Sequence, residues 1–479
     1  MTSTSLTGRG DEAPTLGAAG VRSMTRDVDR WLRFRATQLR VTGFQAAVLF
    51  GDEILLSSAW GMADVERAVP MTTQHLFRIA SHSKTFTATA VMQLLERGTL
   101  RLDDRVDQWL PELASPDPQL ESASDVVSDA TTFGALTLRD LLSHSGGVIR
   151  DGHDGDFWQL TMPFPDEAEL LRIVADDSVV LPSNERFKYS NIGFSVLGLV
   201  IARAAGTSYH EFVTESIIDR LGLDDTGPEY DPARADQFAA GHTASIFGDR
   251  QRLDHCDTAA MASATGFYST ASDVCRYASA HFLGDRRLLS DASKRQMQRP
   301  AVDVGPGEGR YGLGFEIADV GGRRMLGHGG GYPGHITSTL FDPVEGLAVS
   351  VLTNSIDGPA RELLLGALAI IELAKGGTAD GPAVEPAVSD RFVGRFASIW
   401  SVVDVVAAGT GLVCLSPGLA DPTINHVRFD VVDDDTLRVV GGGGYGSRGE
   451  LWRYERAADG EVTSVRAGAV TMRPFELPA

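Results

Sequence analysis

The segment LFRIASHSKTFTA, residues 76–88, leads from a short apolar run into a helix. Phe86, Ala90 and Leu94 recur at four-residue intervals, with Val91 and Leu95 beside them. That spacing predicts a helix over Ser81 to Arg97, closed by Gly98 as a C-cap. Ser81 stands at the expected N-cap, and Lys84 follows one turn later, so the two side chains share a face. A serine hydroxyl is a weak nucleophile until a neighbour takes its proton. A lysine can do so only when desolvation or nearby positive charge lowers its pKa. The helix N-terminus adds a backbone N–H and a dipole suited to a developing oxyanion. Taken alone, Ser-x-x-Lys is equally the mark of an ordinary capped helix with a surface lysine.

Two further signals lie downstream. Tyr189-Ser190-Asn191 precedes a second strong helix that runs toward Gly206. A tyrosine among cations can act as general base or proton relay, and Lys188 adjoins it. Asn191 can donate to a substrate carbonyl or orient Lys84. His328-Gly329-Gly330-Gly331 sits in GHGGGYPGH. Glycines let a strand edge approach a ligand and expose its N–H groups, and a histidine there can transfer protons. A flexible turn would look the same.

The chain has 479 residues with 43 basic and 64 acidic side chains, a formal charge of −21. Its 43% apolar content reads as a globular chain long enough for more than one domain. The charge argues against a nucleic-acid or anionic-membrane partner. Only Lys84, Lys188, Lys294 and Lys375 are lysine, which singles out the two beside the motifs. Cys256, Cys275 and Cys414 are scattered and suggest neither a disulfide framework nor a thiolate metal site. The Ser/Thr/Gly/Ala-rich start lacks the apolar core of roughly 7–15 residues that a secretory signal needs. No apolar run reaches the length of about 18 residues that would suggest a membrane span. A cytoplasmic protein is expected.

The pattern divides the chain into a flexible tail (1–24), a catalytic domain (25–375), a linker (376–388) and an all-β module (389–479). An opening helix is expected over Thr25–Ala36. Strands are expected within Phe44–Trp60 around Gly51-Asp52, at Gly312–Ile317 and at Leu347–Leu352. A polar insertion is expected at Ala114–Thr132, and Thr270 begins a Thr-x-x-Asp capping box ending at Asp273, before a helix over Val274–Phe282. Period-two segments from Ser401 to Ala467 suggest an antiparallel barrel or sandwich. Asp151 to Asp156 reads as a solvated acidic loop rather than a cation site, and His144-Ser145-Gly146-Gly147 as structural. His82 and Ser83 are expected to point away from Ser81. Gly441 to Gly444 lacks the Lys-Ser/Thr of a phosphate loop.

Together and in this order, Ser-x-x-Lys, Tyr-x-Asn and His-x-Gly resemble the serine β-lactamase and penicillin-binding-protein superfamily. His-x-Gly in the third place is similar to the class C β-lactamase-related branch, with its D-aminopeptidases, D-stereospecific peptidases and carboxylesterases. LTLRDLLSHSGGV, YSNIGFSVLGLVIARAAG, ATGFYSTASDVCRYA, YGLGFEI and FDPVEGLAVSVLTNS extend the resemblance over about residues 30 to 375. It implies an α/β domain in which an antiparallel sheet flanked by helices meets a helical lobe. The module at 389–479 looks like the lipocalin-like barrel of some relatives. The resemblance implies that Ser81 is the acylated nucleophile and that Lys84 and Tyr189 share the general-base role. By the same resemblance, Asn191 holds the substrate amide and His328 stands near the substrate carboxylate or leaving group. The N–H groups of Ser81 and Gly331, with Gly330 beside them, would bind the oxyanion. No cofactor and no metal is implied.

These motifs imply a covalent acyl-enzyme but not the acceptor. The expected activity is hydrolysis of small peptides or amides, D-residue-containing ones foremost, or of esters. The alternative is a peptide cyclase or acyltransferase, similar to the penicillin-binding-protein-type thioesterases of nonribosomal peptide assembly, acting on a carrier-bound peptide. An antibiotic-degrading β-lactamase fits less well, since it would be exported and would carry lysine in the third motif. A non-catalytic binding protein is the contrasting class. The C-terminal module either lends a wall to the cleft or serves folding or dimerisation.

Overall fold

The structure is a computed structural model in which residues 16–114, 132–176, 178–375, 385–442 and 447–477 are described. It forms two compact units, Met1–Arg35 with Gly366–Ala479, and Ala36–Leu365. The first helix, α1 (Ala18–Leu39), starts inside the expected tail. Its small residues gave little periodic signal, but Val21, Met24, Val28, Trp31 and Leu32 are all at most 1% exposed. Each such burial stabilises by about 1.5–3 kcal/mol, which outweighs the weak local pattern.

The larger unit is built on a nine-stranded antiparallel sheet. Its strands are β1 (Gly43–Phe50), β2 (Glu53–Asp64), β3 (Val69–Pro70), β4 (Val302–Gly305), β5 (Gly309–Tyr311), β6 (Glu316–Val320), β7 (Arg323–Tyr332), β8 (His335–Asp342) and β9 (Leu347–Thr353). The order is β3-β2-β1-β9-β8-β7-β6-β5-β4. Strands from both ends of the unit meet where β1 pairs with β9, Phe44 opposite Thr353. The helical lobe centres on α2 (Ser83–Glu96) and α3 (Asn191–Ala205), while α4 (Ala271–Ser279) packs on β1 and β9. Thr270 caps α4 by accepting the Asp273 N–H, as expected. Gly206, in the left-handed conformation, ends α3. The expected strand Gly312–Ile317 begins only at Glu316, because Gly312 to Phe315 make a turn closed by the Gly312 N–H on the Phe315 carbonyl.

In the other unit, α1 crosses α5 (Ala360–Glu372) where a Cβ on Gly366 would strike the Trp31 ring. An eight-stranded antiparallel barrel closes through Phe396 opposite Pro474. Its strands are β10 (Gly394–Ala397), β11 (Val402–Ala408), β12 (Gly411–Leu415), β13 (Val427–Asp433), β14 (Thr436–Gly441), β15 (Leu451–Arg456), β16 (Val462–Ala467) and β17 (Val470–Pro474). Alternate side chains fill it, among them Phe396, Val405, Leu412, Phe429, Leu437 and Met472. The first and last strands, short and half-exposed, carried no clear alternation in the sequence. Buried Asp404 takes a two-point bond from Arg395, at 2.8 and 2.8 Å.

The expected insertion at Ala114–Thr132 lies, but for its end residues, outside the described residues. So does the expected linker except at its end, where Pro386–Ser389 is a helical turn. Of the Gly441–Gly444 run, only Gly441 and Gly442 are described. Among the described residues no single helix is long and apolar enough to cross a membrane.

Candidate active site

Ser81 is not the N-cap of an α-helix. It lies in a 3₁₀ turn, Ala80–His82, that feeds α2. Ala80 carries φ +49, a left-handed conformation that costs an L-residue about 1 kcal/mol or more. The surroundings hold the turn in place. Ile79 N–H donates to the Phe267 carbonyl at 2.9 Å, and Ser83 Oγ donates to the Ala80 carbonyl at 2.6 Å while accepting the Phe267 N–H at 3.1 Å. His82 reaches the Ile79 carbonyl through Nδ1 and Thr339 Oγ1 through Nε2, both at 2.9 Å. Burial lowers its pKa to about 3, so it is a neutral strut pointing away from the cleft.

Nearly every side chain from Ser83 to Leu94 on α2 is buried, and its threonines satisfy their hydroxyls on carbonyl oxygens, Thr85 on His82 and Thr87 on Ser263. This helix carries Lys84 into the core, 0% exposed. Lys84 Nζ lies 2.6 Å from Asn191 Oδ1, 2.9 Å from the Ala264 carbonyl oxygen and 3.3 Å from Ser81 Oγ. Desolvation pushes the Lys84 pKa well below its ordinary value; Asp151 pulls it back up and Arg150 pushes it further down.

Asn191 opens α3, where Ser190 caps the helix by accepting the Gly193 N–H at 2.9 Å. Asn191 Nδ2 donates to Asp151 Oδ1 at 2.6 Å, which leaves Oδ1 for Lys84. Asp151 is therefore no part of a solvated loop: its side chain is 17% exposed and turned inward. The rest of that run fits the expectation, with His153, Asp154 and Asp156 exposed. Among the described residues no cluster is arranged to hold a metal ion.

Tyr189 is hydrogen-bonded to Ser81, and desolvation raises its phenol above the ordinary value. Its ring lies 4.4 Å from that of His144, tilted by 38°, and His144 Nδ1 accepts the Ser190 N–H at 3.1 Å. His144, read as structural, thus fixes the extended segment before the helix that presents Tyr189.

His328 and the glycines come from β7. Its partner β6 begins only at Glu316, opposite Gly327, so the edge from His328 to Tyr332 is unpaired on that side. Gly329 N–H donates to Glu316 Oε1 at 3.2 Å, away from β8. Two residues on, the Gly331 N–H points the same way, toward the cleft. Gly330 passes so close under the Ser81 turn that a Cβ would collide with the Ile79 carbonyl oxygen and Thr337 Oγ1. His328 Nε2 lies 3.0 Å from Tyr311 Oη and Nδ1 lies 2.6 Å from the Gly329 carbonyl oxygen. Burial lowers its pKa although Glu316 opposes this. A neutral imidazole with both nitrogens engaged offers a substrate carboxylate no full charge, unlike the lysine it replaces.

Ser81, Tyr189, His328, Gly330 and Gly331 line one cleft of about 630 Å³, and Lys84 and Asn191 lie beneath it. The cleft adds residues that the motifs did not reveal: Arg150, Tyr311, Glu316 and Arg361. Tyr311 and Glu316 lie within YGLGFEI, but nothing in their spacing ties them to His328.

The beta-lactamase family model matches residues 28–372. The chain is 27% identical to Beta-lactamase-like protein 2 of Dictyostelium discoideum over 61% of its own length and 52% of that protein's. It thus spans about half of that relative. It is 29% identical to Esterase EstB of Burkholderia gladioli over 71% of this chain and 93% of the other. Among solved structures, SurE aligns with TM-score 0.61 and 25% identity over 96% of this chain and all of SurE. D-amino acid amidase from Ochrobactrum anthropi, solved with L-phenylalanine amide, aligns with TM-score 0.58 and 25% identity over 73% of this chain and 96% of the other.

Proposed function

The chain belongs to the beta-lactamase family, and we propose that it is a serine acyl-enzyme hydrolase of small amides, peptides or esters. One observation carries the reading: Lys84 Nζ, fully buried, has two carbonyl-type acceptors and Ser81 Oγ around it. A neutral amine has two N–H donors and one lone pair. Asn191 Oδ1 and the Ala264 carbonyl oxygen take the N–H groups, and the lone pair is left for the Ser81 proton.

Ser81 Oγ attacks the substrate carbonyl as its proton passes to Lys84. The tetrahedral oxyanion sits on the N–H groups of Ser81 and Gly331. Tyr189, a protonated phenol touching Ser81, relays the proton from Lys84 to the leaving amine or alkoxide. Water then attacks the acyl-enzyme by the reverse path. His328 holds Tyr311 and the β7 edge in place. Substrates with D-residues are proposed first, on the likeness to D-amino acid amidase, and simple esters next, on the likeness to EstB.

A second reading, transfer to an intramolecular amine, is favoured by the eight-stranded barrel beyond the catalytic strands. That pairing resembles the thioesterases of nonribosomal peptide assembly. We assign the protein to the cytoplasm on composition alone, and recovery of the tagged chain outside the cell would overturn that.

Mass spectrometry after exposure to a fluorophosphonate or a p-nitrophenyl ester tests the chemistry. An adduct on Ser81 is expected; an unmodified Ser81, with Ser81→Ala as active as the parent, would sink it. A linear peptide thioester ending in a D-residue separates the two readings, because a product lighter than the free acid by one water means cyclisation.

A further inference from the structure

We infer that Arg78 is a positioning residue that keeps the oxyanion-binding edge of β7 in register with the Ser81 turn. The inference rests on the serine chemistry proposed above. Arg78 lies three residues before Ser81 and is 0% exposed. Its Nη2 donates to Glu229 Oε1 at 2.8 Å and its Nη1 to the Cys256 carbonyl oxygen at 2.9 Å. The face of the guanidinium lies 4.4 Å from the centre of the Tyr332 ring. Tyr332 directly follows Gly331, and its hydroxyl accepts the Cys256 N–H at 3.1 Å. Glu229 Oε2 accepts the Thr258 N–H at 2.9 Å and is also bonded to the Thr258 hydroxyl. One guanidinium thereby ties the strand before the nucleophile to the residue after the oxyanion glycine, through a shared loop at 256–258.

The contacts repeat along β7 with the period of a strand. His328, Gly330 and Tyr332 face the same side. The His82 ring lies 6.3 Å from that of His328, the Ile79 carbonyl oxygen sits against the Gly330 position, and Arg78 stacks on Tyr332. The turn is laid against the strand at three alternate residues, with Arg78 at the far end. Two of these are contacts of polar groups; the middle one tolerates no side chain. Lysine could keep the charge toward Glu229 but offers neither the fork nor the flat face. A buried ion pair is by itself weak evidence of stabilisation, since an apolar replacement often does as well. Geometry is the property that such a pair can fix: a displacement of about 1 Å between reacting groups costs about a hundredfold in rate.

The test compares the parent with Arg78→Lys, Tyr332→Leu and the milder Tyr332→Phe, using p-nitrophenyl ester turnover, affinity for an aryl boronic acid and thermal melting. The boronate forms a tetrahedral adduct on Ser81 and so reads the oxyanion site directly. Arg78→Lys and Tyr332→Leu are expected to lower kcat by about ten- to a hundredfold with KM within about twofold. Boronate affinity should fall by the same factor as kcat/KM. Tyr332→Phe keeps the ring and loses only the hydroxyl's bonds to Cys256, so a drop of about three- to tenfold is expected. Parental kcat and boronate affinity in folded Arg78→Lys would overturn the inference. Should that variant not fold, parental values in Tyr332→Leu and Tyr332→Phe would overturn it. A rate loss in proportion to the unfolded fraction, with normal boronate affinity per folded molecule, would also overturn it. If the parent takes no acyl group at Ser81, the serine reading itself fails, which is a different result from a normal parent with normal variants.

Discussion

In the proposed mechanism the chemistry at Lys84 depends on a missing proton. Arginine spells 39 of the 43 basic residues of this chain, but it would keep its proton at this position. Lys84→Arg is therefore expected to be as inactive as Lys84→Ala, both down by two or more orders of magnitude in ester turnover, as loss of a general base gives. Tyr189→Phe should fall by about a hundredfold on poor leaving groups and less on p-nitrophenol, which needs no proton. Near-parental turnover in either lysine variant would contradict the assignment. Because the folded Lys84 pKa is well below its ordinary value, kcat/KM should rise with pH through that pKa and then level off. Asp151 favours the charged amine, so Asp151→Asn should move the rising limb to lower pH. A limb that stays or moves upward in a pH–rate series counts against it. The Ser-x-x-Lys spacing was plain in the sequence, whereas Asp151 was hidden in an acidic run. What set it apart was a single inward rotamer, and sequence carries no sign of that.

Among the elements, β7 and the Ser81 turn are the pair on which the site depends. Gly330 has no room for a Cβ, whereas at Gly331 a Cβ would meet only Ile336 Cδ1, at 3.7 Å. Gly330→Ala should push β7 off the turn, lowering stability by about 1–3 kcal/mol and turnover by a hundredfold or more. Gly331→Ala should fold with a melting temperature close to the parent's. Calorimetry and ester turnover on the two variants check this; equal melting temperatures would refute the steric account. Elements with strong periodicity, such as α3 and the hairpin of β1 and β2, were legible in advance. The start of α1 and the turn at Gly312–Phe315 were not. Their placement follows from burial against distant residues rather than from local pattern.

Over the whole molecule, buried neutral histidines set the response to acid. Burial lowers His82, His255 and His281 to about 3, and holds His144 and His335 well below their ordinary value. Between those values and about 6.5 the unfolded chain binds more protons than the folded one, so stability is lost as pH falls through this window. Asp27, raised to about 6 by burial, works in the opposite direction from about 3.8 to 6, as do Glu229 and Asp273, also raised by burial, but these three carboxyls are outnumbered by the lowered imidazoles, which include His75, His210, His242 and His328 as well. The midpoint of urea unfolding is expected to drop between pH 7.5 and pH 5. A constant or rising midpoint would show that these imidazoles are not held neutral.

The amino-acid sequence by itself determined the groups on which the proposed chemistry rests: Ser81 with Lys84, Tyr189 with Asn191, and the glycines after His328, each set written within a few residues. It also determined the order of an α/β unit and a β-barrel, because hydrophobic periodicity is a local property. Tertiary structure alone decided that Lys84 is dry, that Asn191 turns its oxygen to Lys84 because Asp151 holds its amide, and that Arg78 bridges the turn to Tyr332. These facts depend on groups separated along the chain by 40 residues (Asn191 and Asp151) and by as much as the span from Arg78 to Tyr332, and burial and partner geometry exist only once such segments have met.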